Sequence, residues 1–304
     1  MKLSRRSFLA GSASLPIIGA APRFAIAEIP IGGGSLTTVS DGHLVLPGSF
    51  IFEPMPQDDL QAIIAEFGLS PDQLEPECNL ALYRDGTNTV LFDAGSGPDF
   101  MPSAGMILDS LDAAGVAPDD ITHVVFTHAH PDHIWGLLDD FDEPLFVNAT
   151  HMMGRTEWDY WWNPETVETI GEARAAFAVG ARRRMEAIEG SVILFDDGEE
   201  ILPGVAAILT PGHTPGHMSF EVRSGSDAAL VIGDAIGNHH VAFARPDWPS
   251  GSDQDQDLAA ATRQSLFDRI LADNLSIAGF HLPDGGMGRV EATGDAYRFV
   301  PAAS

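Results

Sequence analysis

The chain has 304 residues, 44% of them hydrophobic, which gives room for one large domain or two small ones and excludes a disordered chain. Its formal charge of −28 repels nucleic acid and anionic membranes, so neither is expected as a partner. A single cysteine, Cys78, excludes an intramolecular disulfide and a Cys-rich zinc module, and is expected to be a buried thiol.

Residues 1–27 read as an address rather than as part of the fold. Ser4-Arg5-Arg6-Ser7-Phe8-Leu9 resembles a twin-arginine signal, an apolar stretch follows to about Ala21, and Ala25-Ile26-Ala27 is a small-residue cleavage site. The apolar run is shorter than the roughly 20 residues that span a bilayer, and Pro16 interrupts it. Cleavage after Ala27, export to the periplasm or beyond, and no stable membrane association afterwards are expected; the alternative is a retained anchor. Loss of Lys2, Arg5, Arg6 and Arg23, with no acid among them, would take the charge from −28 to −32.

Residues 28–304 read as one domain. Leu36–Leu46 suggests strand, turn and strand around Asp41-Gly42, and Met55-Pro56 opens a short helix through Leu60, Ile64 and Phe67. Asn79–Tyr83 and Thr89–Phe92 form a hairpin, the second strand ending in Asp93-Ala94-Gly95-Ser96-Gly97. A helix over Ser103–Ala114 precedes a strand from Ile121. Leu145–Asn148 reads as a strand, and residues 154–190 as a helical insert holding Trp158, Tyr160, Trp161 and Trp162. Val192–Phe195, Val205–Thr210, Ser219–Val222, Leu230–Ile232 and Ile277–Phe280 are strands. Asp257–Ala272 is a helix with a buried face of Leu258, Ala261, Leu266, Ile270 and Leu271, and Val290–Val300 supplies one or two closing strands. Interspersed helices and strands, with hairpins in both halves, predict an α/β architecture of two mixed sheets packed face to face with helices outside.

Four apolar strand runs each end in metal-competent residues. Val124-Val125-Phe126 leads to His128, His130, Asp132 and His133; Ala207–Gly212 to His213; Leu230–Gly233 to Asp234; and Ile277–Phe280 to His281. Imidazole with carboxylate suits zinc, iron or manganese. Seven ligands, one carboxylate shared, would hold two ions with room for a bridging water.

The order His-x-His-x-Asp-His, Thr-Pro-Gly-His-Thr-Pro-Gly-His, Gly-Asp and a late strand-end His resembles the metallo-β-lactamase superfamily, from about Leu36 to Val300. The resemblance implies an αββα sandwich. It assigns His128, His130 and His213 to the first metal, Asp132, His133 and His281 to the second, Asp234 as the bridge, and Asp93 as an acid that orients the ligand loop. It further implies two Zn2+ ions (Mn or Fe as alternatives) and relatives that are often homodimers. Ser40-Asp41-Gly42, Gly279–Pro283, Gly288-Arg289-Val290 and Tyr297-Arg298 are similar to methyl parathion hydrolase and its exported relatives, whereas Asp284-Gly285-Gly286, expected to border the substrate pocket, is not.

The function expected is a dinuclear-metal hydrolase acting on a neutral, rather apolar ester, lactone or phosphotriester. A hydroxide held between the ions attacks, and Asp132 moves a proton to the leaving group. The alternatives are an iron oxygenase or oxidoreductase of the persulfide dioxygenase kind, and a metal-binding protein without catalysis. Trp158, Trp161 and Trp162 are candidates for the pocket wall, against packing of the insert onto the sandwich, and His239 and His240 are candidates too, against exposed loop histidines. His217 is expected to support the ligands, His123 and His151 to be structural, and Arg182–Arg184 to be a solvated helix face.

Overall fold

A computed structural model describes residues 27–302; the signal segment expected over residues 1–27 lies outside them except for Ala27. Two seven-stranded sheets carry the chain. The first has the spatial order Glu28–Ile31, Gly34–His43, Glu77–Arg84, Thr89–Phe92, His123–Phe126, Thr150–Gly154 and Ile193–Phe195. The second runs Glu200–Leu202, Val205–Leu209, Met218–Ser224, Asp227–Gly233, Ser276–Gly279, Met287–Thr293 and Ala296–Pro301. The first sheet is parallel from Thr89–Phe92 onward; the second is antiparallel apart from the pair Asp227–Gly233 and Ser276–Gly279.

This topology explains the unbroken apolar runs. Leu91, Val124 and Phe126 pack outward under helices, while Phe92 and Val125 face the other sheet, so a central parallel strand has no wet side. Phe92 meets Phe220 across the sheet interface with ring centroids 5.2 Å apart. Helices Arg155–Trp162 and Ala175–Ile188 cover the first sheet, and Gln256–Ala272 covers the second. The layers are therefore α, β, β, α, as the sequence predicts. Among the described residues no helix is long and apolar enough to cross a membrane.

Four expectations differ from the structure. Asp41-Gly42 is not a hairpin turn: one strand runs through it, Gly34–His43, with a register shift between Ser40 and His43. The Asp41 carboxylate points inward instead, accepting from Ser96 N (2.7 Å) and Ile107 N (2.9 Å). Leu145–Asn148 is loop, with Val147 exposed, and the strand that pairs with His123–Phe126 is Thr150–Gly154. The buried face of Gln256–Ala272 is Ala259, Ala260, Arg263, Leu266, Phe267 and Ile270, while Leu258, Ala261 and Leu271 are exposed. Arg182–Arg184 is not simply solvated. Arg184 is buried over the Trp135 ring and Arg182 lies over Trp162, leaving Arg183 to pair with Asp142 on the surface.

Candidate metal centre

The four strand runs end at one edge of the sandwich, and their terminal residues converge. His128 Nε2 and His213 Nε2 lie 3.0 and 2.9 Å from His130 Nδ1. Asp132, His133, Asp234 and His281 form a second group whose ligating atoms all lie within 4.8 Å of one another. Asp234 joins the groups: its Oδ2 is 3.3 Å from His213 Nε2 and 3.3 Å from His281 Nε2. Every one of these side chains is buried or nearly so.

Four of the five imidazoles are set by what their other nitrogen touches. His133 Nδ1 donates to Asp93 Oδ2 (2.8 Å), His213 Nδ1 to Asp253 Oδ1 (3.0 Å), and His281 Nδ1 to the Glu77 carbonyl (2.7 Å). Thr127 Oγ1 donates to Asp93 and accepts from His128 Nδ1 (3.0 Å). In four of the five rings the remaining nitrogen therefore turns a lone pair inward. Those of His128 and His213 both aim at His130 Nδ1, from 3.0 and 2.9 Å, and a single N–H there could satisfy only one of them, whereas a cation among the three nitrogens would satisfy all. Beside them, burial works against a charged His281, yet Asp234 and Asp132 push its pKa up to about 10, so the carboxylates of the second group draw positive charge. Convergent imidazole nitrogens with two carboxylates, Asp132 and the shared Asp234, fit two borderline divalent ions.

Asp93 has the unusual backbone angle φ 68°, held because its carboxylate also accepts from Thr127 N at 2.7 Å. Burial lowers the pKa of His217 to about 3, and the ring stays neutral. Its Nδ1 pairs with Thr210 Oγ1 (2.8 Å) and its Nε2 accepts from Asp234 N (3.0 Å), so it orients the bridging residue's backbone.

Two acids that the motifs did not single out complete the support. Glu157, fully buried, accepts from Ala129 N (3.0 Å) between two ligand histidines, and from Thr214 Oγ1 (2.7 Å) and Gly216 N (3.0 Å) just past His213; Trp161 Nε1 donates to it as well. Gly216 must be glycine because a Cβ there would meet Glu157 N at 2.1 Å. Asp253 holds His213 and stands 3.6 Å from the buried Arg263. The only advance signal for Glu157 was its place in a tryptophan-rich helix, and for Asp253 there was none.

The centre opens into a cavity whose apolar wall includes Leu44, Leu46, Phe50, Ile51, Phe100 and Phe177. The tryptophans expected there are elsewhere. Trp158 stacks on Trp162 with centroids 5.2 Å apart, and Trp161 packs edge-on against His130 at 5.7 Å; Trp158 and Trp161 are buried in the core and Trp162 is half-buried against it. Their bulk anchors the insert to the sheet, leaving phenylalanines to wall the site. His240 lines an adjoining cavity with His239. Asp284-Gly285-Gly286 borders neither cavity; it forms a tight turn docked on Glu77, whose carboxylate accepts from Asp284 N (3.3 Å) and Gly285 N (3.1 Å). His151 is buried on its strand, and His123 is half-buried against Thr122 Oγ1 at 2.9 Å.

Residues 75–277 match the model of the metallo-beta-lactamase superfamily. The chain belongs to that superfamily. Among its relatives is the N-acyl homoserine lactonase AttM of Agrobacterium fabrum (strain C58), 30% identical over 129 residues, or 41% of this chain and 44% of that protein. The match thus spans less than half the length of that relative. A protein of Mycobacterium tuberculosis (strain ATCC 25618 / H37Rv) is 29% identical over 77% of this chain and 95% of its own length. In structure, the hydrolase AbOPH superposes with a TM-score of 0.86 at 25% identity, covering 93% of this chain and 99% of that one. AidC, a dizinc quorum-quenching lactonase in complex with a product, superposes with a TM-score of 0.85 at 24% identity over 92% and 98%. The superfamily match and the convergent ligand groups together support a centre for two metal ions.

Proposed function

We propose that this protein is a metal-dependent hydrolase of neutral, apolar esters, with lactones, carboxylesters and phosphotriesters as the chemical range. The observation that carries the reading is the position of Asp234, within 3.3 Å of a histidine from each ligand group, at the floor of an apolar cavity. His128, His130 and His213 would hold one ion, and Asp132, His133 and His281 the other, with Asp234 between them. Ions bound there would supply a water ionised near neutral pH and polarise the substrate's carbonyl or phosphoryl oxygen. The cavity excludes bulk water from one side of that oxygen and receives an apolar arm. Asp132 would hold a proton and pass it to the leaving alkoxide, a role supported by its position in the cavity lining, 3.2 Å from His281 Nε2. Among the described residues no Lys or Arg lines the cavity, so an anionic substrate would find no lysine or arginine counter-charge there.

Zinc is the proposed metal, and the lactonase and methyl parathion hydrolase branch the proposed kinship, supported by AttM and AidC among the similar proteins. Purified protein is expected to hold about two equivalents of metal and to cleave a homoserine lactone, an aryl ester or an aryl phosphotriester. That turnover should vanish on chelation and return with zinc. Turnover that survives metal removal would overturn the reading. We further propose that residues 1–27 direct twin-arginine export to the periplasm and that the exported protein pairs as a homodimer. The mass of protein recovered from the periplasm should begin at residue 28, and its sedimentation should be that of a dimer; an unprocessed cytoplasmic chain or a monomer would refute the respective part.

A further inference from the structure

Beside the apolar cavity lies a second one, and the two share Ile51, Pro76, Gly237 and His281 in their walls. They therefore meet at the metal centre, on the side of His281. Their linings differ. The first is walled by leucine and phenylalanine. The second combines the apolar Leu69, Leu74 and Pro283 with Glu75, Asn238 and His239. Glu75 uses one carboxylate oxygen to accept from Gln73 (2.8 Å), leaving the other as an acceptor. Burial lowers the pKa of both His239 and His240, the latter to about 3, so neither supplies positive charge near neutrality. Among the described residues neither cavity is lined by Lys or Arg.

At the junction stands a residue with no side chain. A Cβ built on Gly237 would meet nothing nearer than the Asp234 carbonyl at 3.8 Å, and its backbone is not in the left-handed region. Neither strain nor close packing calls for glycine here. At Gly212 and Gly233, by contrast, a Cβ would strike a neighbour at 2.3 and 2.6 Å. Gly237 lines both cavities, so the open space beside it lies where they adjoin.

We infer that the site takes two-armed neutral esters: an aliphatic arm in the phenylalanine-walled chamber, and on the other side of the scissile bond a group with O–H or N–H donors in the chamber of Glu75 and His239, Gly237 being the residue that admits it. This deepens the hydrolase reading and rests on it. The reaction balances as simple hydrolysis: water adds its oxygen to the acyl carbon, the ester C–O bond breaks, and the proton leaves with the alcohol.

The test compares 2-(4-hydroxyphenyl)ethyl hexanoate, which has both arms, with methyl hexanoate, which has one. In the zinc-loaded wild-type protein kcat/KM should favour the two-armed ester at least tenfold. Gly237→Leu, which fills that space, should reduce that preference at least tenfold, chiefly through KM, with metal content unchanged. A preference that stays within twofold of wild type in this variant overturns the proposal, as does a wild type that does not discriminate. If Gly237→Leu does not fold, His239→Ala is read for the same ratio and by the same criterion. Calorimetric binding of N-[2-(4-hydroxyphenyl)ethyl]hexanamide, which resists hydrolysis, separates the two readings. If neither ester is cleaved but the amide binds wild type at least tenfold more tightly than Gly237→Leu, hydrolysis of these esters fails and the two-chamber site stands. An amide that binds neither protein, or both alike, overturns the two-chamber site.

Discussion

Four donors converge on one carboxylate behind the ligand loops, that of Glu157, and they come from both sides of the first metal group. Burial raises its pKa, and the hydrogen bonds from Thr214, Trp161, Ala129 and Gly216 oppose that rise, so the ionised form is held by donors rather than by a counter-charge. Glu157→Gln places an amide NH2 where only acceptors fit, leaving one or two buried donors unpaired, each worth about 1–3 kcal/mol. The expected result is a protein that folds with a lowered melting temperature and yields one of its two metal equivalents at about tenfold lower chelator concentration. Release of both equivalents together, or neither more readily than in wild type, would show that Glu157 does not act through the His128, His130 and His213 group. The ligands themselves were legible because their chemistry is concentrated in short motifs at strand ends. Glu157 was not, since an acid in an amphipathic helix looks like any solvated glutamate until the helix is seen lying across two loops.

At the scale of elements, the insert is held by aromatic and cationic packing that composition alone misassigned. Arg184 lies 4.6 Å from the Trp135 ring and hydrogen-bonds its carbonyl at 3.3 Å, and Arg182 lies 4.4 Å from Trp162. Helix Ala175–Ile188 can come this close because Gly180 faces Trp135: a Cβ there would meet the indole at 2.3 Å. Gly180→Ala gains helix propensity of up to about 1 kcal/mol but must push the helix off Trp135, an overpacking cost of about 1–3 kcal/mol. Net destabilisation is expected in a denaturant titration, and an unchanged or raised midpoint would show that the indole moves aside freely. Phe177 on this helix and Phe100, whose ring lies 5.4 Å from that of Trp135, both wall the cavity, so the same variant should also alter KM for apolar substrates.

The whole molecule buries histidines away from the metal centre, and this ties its stability to pH. Burial lowers the pKa of His151 from 6.5 to about 4. Between those values the unfolded chain binds a proton that the folded chain does not, so stability falls as pH drops from about 6.5 towards 4. A shift of that size corresponds to on the order of 3 kcal/mol at full effect. Wild type should therefore lose more unfolding free energy between pH 7 and pH 4 than His151→Leu, by that order; equal losses would show that His151 finds a proton-accepting partner in the folded state.

The sequence by itself determined the layer architecture and which histidines and aspartates would converge at the sheet edge. Apolar runs of strand length that end in histidine or aspartate can be buried only in a sheet whose edge then carries those groups, and that inference needs no coordinates. Only the tertiary structure decided what surrounds the centre. Asp41-Gly42 has the local chemistry of a turn, but pairing with Glu77–Arg84 and the demand of two amide donors for the Asp41 carboxylate keep the strand running. The tryptophans have the composition of a substrate wall but pack in or against the core, while the wall comes from Leu44, Phe50, Phe100 and Phe177, four residues scattered over more than a hundred positions. Ligand identity is a property of short stretches of chain, whereas a cavity is a property of the space left between elements, and no local pattern encodes which side chains will face it.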